Sequence, residues 1–390
     1  MYKQFLCFVV SLMLMPGITA NAADLSYDNE LVSISAELNQ VYSSDQLNLS
    51  IYESRLLDTY FIACALYFDF DSTYLLPDAD QHHLYSAARD YFIKYRDHGF
   101  IQNLGAYVDS QYKAERGGVV LPLLMHSFSD LDYGFGIGNV QTDVFQNAEE
   151  FNLFLDHLKA FYNETNAGAF FDHIESQKAM VEYIKAEVPK SDLIELMLKM
   201  EAYTGNKTEL YGEREIRYRS VVTLFRPFNA SFYSFGTNDA TYFICQLSPT
   251  TDEKNPDVYS INQFVETTVH EFLHKYINQP VYELDETILE LAKDKNKADY
   301  AGSNQLYQMM DWHRIVDENI VRAVETSIYA DIYNDRDKAY EVIMRKEAEF
   351  GGMQHLPKLY DSLERYENNR ETYTNISSYL PELITIMFSA

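Results

Sequence analysis

Apolar residues recur every three or four positions through Leu38–Tyr60, His82–Tyr95, Glu149–Tyr162, Phe170–Ala186 and Ser191–Tyr203. That spacing lines one face of a helix, so residues 24–205 read as mostly helical. Pro77–Asp80 and Asp97–Gly99 supply turns, and Ser191 is placed to cap the helix that follows Pro189. Gly117-Gly118 followed by Val-Val-Leu-Pro reads as a short strand or a loop.

The pattern changes after Gly205. Ser220–Phe225, Ala230–Phe235 and Thr241–Leu247 are rich in β-branched and aromatic residues, and Gly236–Asp239 between the last two predicts an antiparallel hairpin. Pro227 marks an edge or bulge. Helical spacing returns over Ile261–Asn278, with Ser260 or Asn262 as the earliest start and Pro280 as the end. Leu284–Lys295, Gln305–Tyr333, Leu356–Tyr366 and Tyr379–Phe388 complete the helical set. The expected class is α+β, predominantly helical, with a small antiparallel or mixed sheet beside the helix at 261–278. The expected division is 1–22 as a leader, 23–205 as a helical region, 206–345 as a catalytic region and 346–390 as C-terminal helices.

That helix contains His270-Glu271-Phe272-Leu273-His274, an HExxH motif. Positions i and i+4 share a helix face, so both imidazoles reach one point, and the Glu between them reaches a water held there. Phe272, Leu273 and Tyr276 suit a buried helix; Lys275 is the exception and is expected to point to solvent. A hydrolytic zinc site takes three protein ligands and keeps a fourth position open. Glu318, set among apolar residues of the long helix at 305–333, is the first choice for the third ligand, because a carboxylate there is costly unless paired or ligating. Arg322, one turn on, offers a salt bridge instead. Glu325 and His313 are the second and third choices. Glu283, Asp285 and Glu286 follow the first helix too closely.

On this reading Zn²⁺ held by His270, His274 and Glu318 polarises a carbonyl, and Glu271 acts as general base. The oxyanion donor is sought first at Tyr329, with Tyr333, His313, Tyr276 and Tyr282 as the other candidates. An extended peptide is expected to lie along an exposed strand edge, either Ala230–Phe235 or Thr241–Leu247. The remaining histidines lack ligand spacing.

Composition narrows the partners. The formal net charge is −28 and the pI about 4.6, which excludes a phosphate-neutralising nucleic-acid surface and suits solubility outside the cell or, more sharply, a preference for basic peptides; the zinc reading itself makes a protein or peptide the expected substrate. Lys3, the short apolar run Phe5–Met15, Pro16-Gly17 and Ala20-Asn21-Ala22 predict a signal peptide with the mature chain starting at Ala23, and hence a secreted or periplasmic protein. An uncleaved anchor is the alternative. No later stretch is long and apolar enough to span a bilayer. Cys64 and Cys245 remain after cleavage, either paired or free and buried.

The order HExxH helix, then a second helix bearing a Glu, resembles the gluzincin metallopeptidases. The resemblance covers His270, Glu271 and His274 closely and Glu318 by position. Many gluzincins carry an Asp four residues after that Glu to orient a zinc histidine. Here the position holds Arg322, so the outer partners must differ. The chain also resembles a family of exported bacterial proteins catalogued as a domain of unknown function, through its HEFxH helix, Glu318-x-x-x-Arg322-Ala323, and Leu363-Glu-Arg-Tyr366-Glu-Asn-Asn369-Arg370-x-x-Tyr373 with Pro381 beyond. The resemblance implies a zincin-like core without fixing a substrate. Two other functions compete: a zincin-fold scaffold without turnover, and a zinc hydrolase of non-peptide amides or esters. An intact Glu271 argues against the scaffold.

Overall fold

The computed structural model describes residues 40–389 apart from 44–46, 71–82, 109–118, 128–143, 146, 175–181, 226–229, 237–239, 248–250, 253–254, 303–307, 346–347 and 349–350. The leader at 1–22, the turn at Pro77–Asp80 and the tip of the hairpin at 237–239 lie outside the described residues. No helix among the described residues is long and apolar enough to cross a membrane.

Helices dominate, and five strands form one mixed sheet: β1 (Gln40–Ser43), β2 (Asn48–Glu53), β3 (Glu215–Val222), β4 (Ala230–Gly236) and β5 (Ala240–Leu247). The order is β1-β2-β3-β5-β4. β2, β3 and β5 run parallel, while β1 and β4 close the two edges antiparallel. The sheet thus takes strands from both sides of residue 205. The α+β, predominantly helical class holds, as does the β4–β5 hairpin. Of the two proposed peptide-binding edges, only β4 is an edge; β5 is paired on both sides.

Some sequence expectations need correction. Leu38–Tyr60 is not a helix throughout. Leu47, Leu49 and Ile51 alternate with Asn48 and Ser50, which is a period of two. The helix α1 (Arg55–Tyr67) starts only at Ser54, whose side chain accepts from the Leu57 N–H. The Val-Val-Leu-Pro run at 119–122, read as a short strand or a loop, opens a helix over Val120–Ser127.

The other long helices are α2 (Ala148–Glu164), α3 (Leu193–Thr204), α4 (Ile261–Tyr282), α5 (Trp312–Tyr333), α6 (Leu356–Asn368) and α7 (Ile376–Phe388). Ser260 caps α4 by accepting from the Gln263 N–H at 3.2 Å. Val265, Val269, Phe272 and Tyr276 recur along one buried stripe of α4, which packs on β4 and β5. Phe272 meets the Tyr218 ring edge-on at 5.0 Å, and Tyr276 meets Phe243 at 6.0 Å. On its other side α4 packs against α5, with α3 across both. Pro280 does not end α4, contrary to expectation. Its missing N–H leaves the Tyr276 carbonyl without its usual helical donor, and the Asn206 amide supplies one at 2.8 Å.

One buried acid ties α1 to the end of β3. Asp58 Oδ1 accepts the N–H groups of Leu224 at 2.7 Å and Phe225 at 3.0 Å. Burial raises its pKa well above the usual carboxylate range, despite those two donors. Asp58→Ala is expected to cost about 1–3 kcal/mol for each stranded N–H. A chemical-denaturation midpoint that stays at the wild-type value would refute this role.

Cys64 and Cys245 are both free and buried, which decides between the two alternatives for them.

Candidate metal centre

Antiparallel packing of α4 and α5 brings the motif histidines to the carboxylates. His270 Nε2 and His274 Nε2 lie 3.3 Å apart. Glu318 sits against both, with Oε2 at 3.7 Å from His270 Nε2 and Oε1 at 3.6 Å from His274 Nε2. His270, His274 and Glu318 each present one ligand atom, and these atoms lie within 4.8 Å of one another. Zinc bonds of about 2.0–2.1 Å in a tetrahedral set require ligand atoms roughly 3.3 Å apart, so the observed spacings fit the donor set with a small contraction.

The outer nitrogens are also held. His270 Nδ1 is 3.0 Å from Glu325 Oε2. His274 Nδ1 is 3.1 Å from Asp317 Oδ2 and 3.0 Å from Asn278 Oδ1. A carboxylate on Nδ1 draws the ring proton to that side and leaves the Nε2 lone pair turned inward. Two bare lone pairs 3.3 Å apart repel unless a cation lies between them, which is the role a metal ion would fill.

Without a metal, protons fill that role. Burial alone pushes the His270 pKa down, but hydrogen bonds to Glu318 and Glu325 outweigh it and raise it to about 10. Burial opposes charge on His274 as well, yet Asp317 and Glu318 raise its pKa. Burial disfavours the Glu318 carboxylate, but the two imidazoles and Arg322 hold its pKa far below the ordinary value.

The sequence candidates divide as follows. His270, His274 and Glu318 come together. Glu271 follows His270 on the same turn of α4, partly exposed, and its charge acts on Lys275. Glu325, the second choice for a ligand, lies on the outer side of the His270 ring. The proposed Arg322–Glu318 pair exists at 3.7 Å alongside the imidazole contacts rather than instead of them. His313 is turned away, with Nδ1 3.5 Å from Asp285 and its ring 4.2 Å from Tyr282. Tyr329 lies on α5, 11 residues after Glu318 and one helical turn after Glu325. Burial raises its pKa well above the usual phenol value, with Glu325 and Glu266 adding to the effect. Tyr333 lies beyond it, 5.8 Å away centroid to centroid. Tyr276 is directed under the sheet, bonded to Tyr218.

Lys275 does not point to solvent. Its ammonium donates to Ser234 Oγ on the edge strand β4 at 2.8 Å and lies 5.9 Å from the Phe243 ring centroid. Burial pushes its pKa down to about 7, against the pull of Asp317 and Glu271. The odd lysine of the motif therefore joins the helix to the strand edge.

Sequence reasoning did not find Asp317 and Asn278. Asn278 had a signal, since it follows His274 by one helical turn on the same face. Asp317 had none: it precedes Glu318 by one residue and points about 100° away around the helix, where only the tertiary packing of α4 shows what it meets.

The His98 ring caps the helix at 99–103 and pairs with Glu164, and His355 stacks on Tyr300, so both have structural partners. The C-terminal motif is structural too: Arg370 Nη1 and Tyr366 Oη both donate to the Tyr203 carbonyl at the end of α3. That end needs Gly205, which has φ +67°, and a Cβ there would meet Arg370 Nη2 at 2.9 Å.

Comparison with curated proteins and with solved structures finds no match in either. A family profile described as a domain of unknown function (DUF4932) matches residues 66–386, most of the chain and all of the cluster just described, so the protein belongs to that family.

Proposed function

We propose that the protein is a zinc-dependent metallopeptidase of gluzincin type. The observation that carries this reading is the inward convergence of His270, His274 and Glu318 with both Nδ1 atoms held by carboxylates. The three residues would hold zinc. When bound, zinc supplies Lewis-acid polarisation and a more acidic water. His270 and His274 donate lone pairs, and Glu318 contributes one negative charge. Glu271 is partly exposed on the adjoining face, which suits a base that takes a proton from water and passes it to a leaving amine. The edge strand β4 offers backbone groups to an extended peptide, and the Lys275–Ser234 bond fixes that edge relative to α4. We propose export as the setting, from the leader-like sequence at 1–22.

The test is digestion of a peptide library by the purified chain, with and without a chelator, and with zinc restored. Chelator-sensitive cleavage that returns with zinc supports the reading. Zinc binding with no peptide cleavage, but hydrolysis of simple amides or esters, moves it to a different hydrolase. Zinc binding with no hydrolysis at all leaves a scaffold.

A further inference from the structure

We propose that Asp317 and Glu325 are positioning residues that lock the inward-facing tautomer of His274 and His270, and that Arg322 is the counter-cation that balances this doubly braced site. The inference rests on the zinc reading and deepens it. A single helix, α5, supplies the carboxylate facing the inner nitrogens and both carboxylates on the outer nitrogens. Because α4 and α5 run antiparallel, His274 meets Asp317 at 3.1 Å and His270 meets Glu325 at 3.0 Å, with Glu318 between. Asp317 is 5% exposed and Glu325 2% exposed. Carboxylates this deep persist only when engaged.

Their engagement is narrow. Asp317 Oδ1 and Glu325 Oε1 are buried and meet no hydrogen-bond donor among the described residues. Each acid is therefore held through one oxygen, and that oxygen faces an imidazole. Position 322 sets a cation beside these acids. Three carboxylates around one divalent ion and two neutral rings leave one surplus negative charge, and the Arg322 guanidinium lies 3.7 Å from Glu318 Oε2, while Arg314 and Lys275 act on Asp317.

The test is zinc affinity of the full chain, measured by competition with a fluorescent chelator, for wild type, Asp317→Leu, Glu325→Leu, Glu325→Gln and Arg322→Met. We expect Glu325→Leu and Asp317→Leu to weaken zinc binding about 10–100-fold, with one equivalent still bound at saturation. Glu325→Gln, which keeps an acceptor, recovers part of the Leu loss. Arg322→Met binds zinc at least as tightly as wild type. A thermal melt of each metal-free variant identifies any that fail to fold. Nitrogen-15 spectra of the zinc-loaded wild type, labelled at histidine, add a readout independent of variants, and both rings must carry the proton on Nδ1.

Wild type that binds one zinc, with Asp317→Leu and Glu325→Leu within about twofold of it, overturns the positioning role while the zinc reading stands. An Nε2-protonated ring in either histidine does the same. Weaker zinc binding by Arg322→Met overturns the counter-cation role. A wild type that binds no zinc removes both the inference and the reading beneath it.

Discussion

Glu271→Gln is expected to bind one equivalent of zinc and to lose peptide turnover by about 10²–10⁴-fold. The substitution keeps shape and removes only the capacity to accept a proton. Glu271 is not among the residues whose ligand atoms converge, so metal affinity should barely change. The structural cost should also be small, because Glu271 is partly exposed on α4. Its charge acts on Lys275, whose ammonium is bonded to Ser234 Oγ. The measurement is steady-state cleavage of a peptide found in the library digest, with zinc quantified in the same sample. Turnover close to wild type would remove Glu271 as the base. Loss of zinc together with turnover would make it a structural group instead.

His270→Ala should produce the largest change in stability. Two acids are held by this one ring, Glu325 at Nδ1 and Glu318 at Nε2, and Glu325 is almost fully buried. Removing one partner of a buried charge pair typically costs about 3–5 kcal/mol, because the remaining charge is stranded. The variant should also fail to gain stability from added zinc, which wild type gains by mass action.

The same ring sets a pH dependence. In the metal-free chain the His270 pKa is raised from 6.5 to about 10. A raised pKa means that folding favours the protonated ring. Its contribution is complete below the ordinary histidine value and fades as pH rises through the folded value. Metal-free protein should therefore lose stability between about pH 6.5 and 10. Zinc competes with that proton, so the zinc-dependent rise in melting temperature should grow across the same window. Melting curves with and without zinc at about pH 6 and pH 9 check both signs. A zinc effect that shrinks with pH would contradict the arrangement of His270 between two acids.

The fold and the cluster were legible in the sequence to different depths. Helical spacing and the HExxH pair depend on local periodicity, so α4, α5 and the inward face of His270 and His274 could be read directly. Glu318 was legible for a chemical reason, as a carboxylate among apolar neighbours. β2 was not, because Leu47, Leu49 and Ile51 also fit a helical count when joined to the real helix at Arg55. Pro280 misled because its effect depended on Asn206, distant in sequence, which supplies the missing donor. Lys275 looked like a solvent-facing charge because only the β4 edge reveals Ser234. Glu325 was noticed as the second choice for a ligand: spacing along α5 places it near the right face, and only the antiparallel offset of α4 shows that it meets the His270 ring at Nδ1. Tyr329 was chosen by residue type, since helical spacing alone does not say where its hydroxyl ends.

The central claim is one metal position shared by His270, His274 and Glu318. The most direct test is diffraction from zinc-soaked crystals at wavelengths on either side of the zinc absorption edge. The account predicts one anomalous peak between the two Nε2 atoms and the Glu318 carboxylate, at about 2.0–2.1 Å from each. No peak there, or a peak that leaves Glu318 paired only with Arg322, would contradict it.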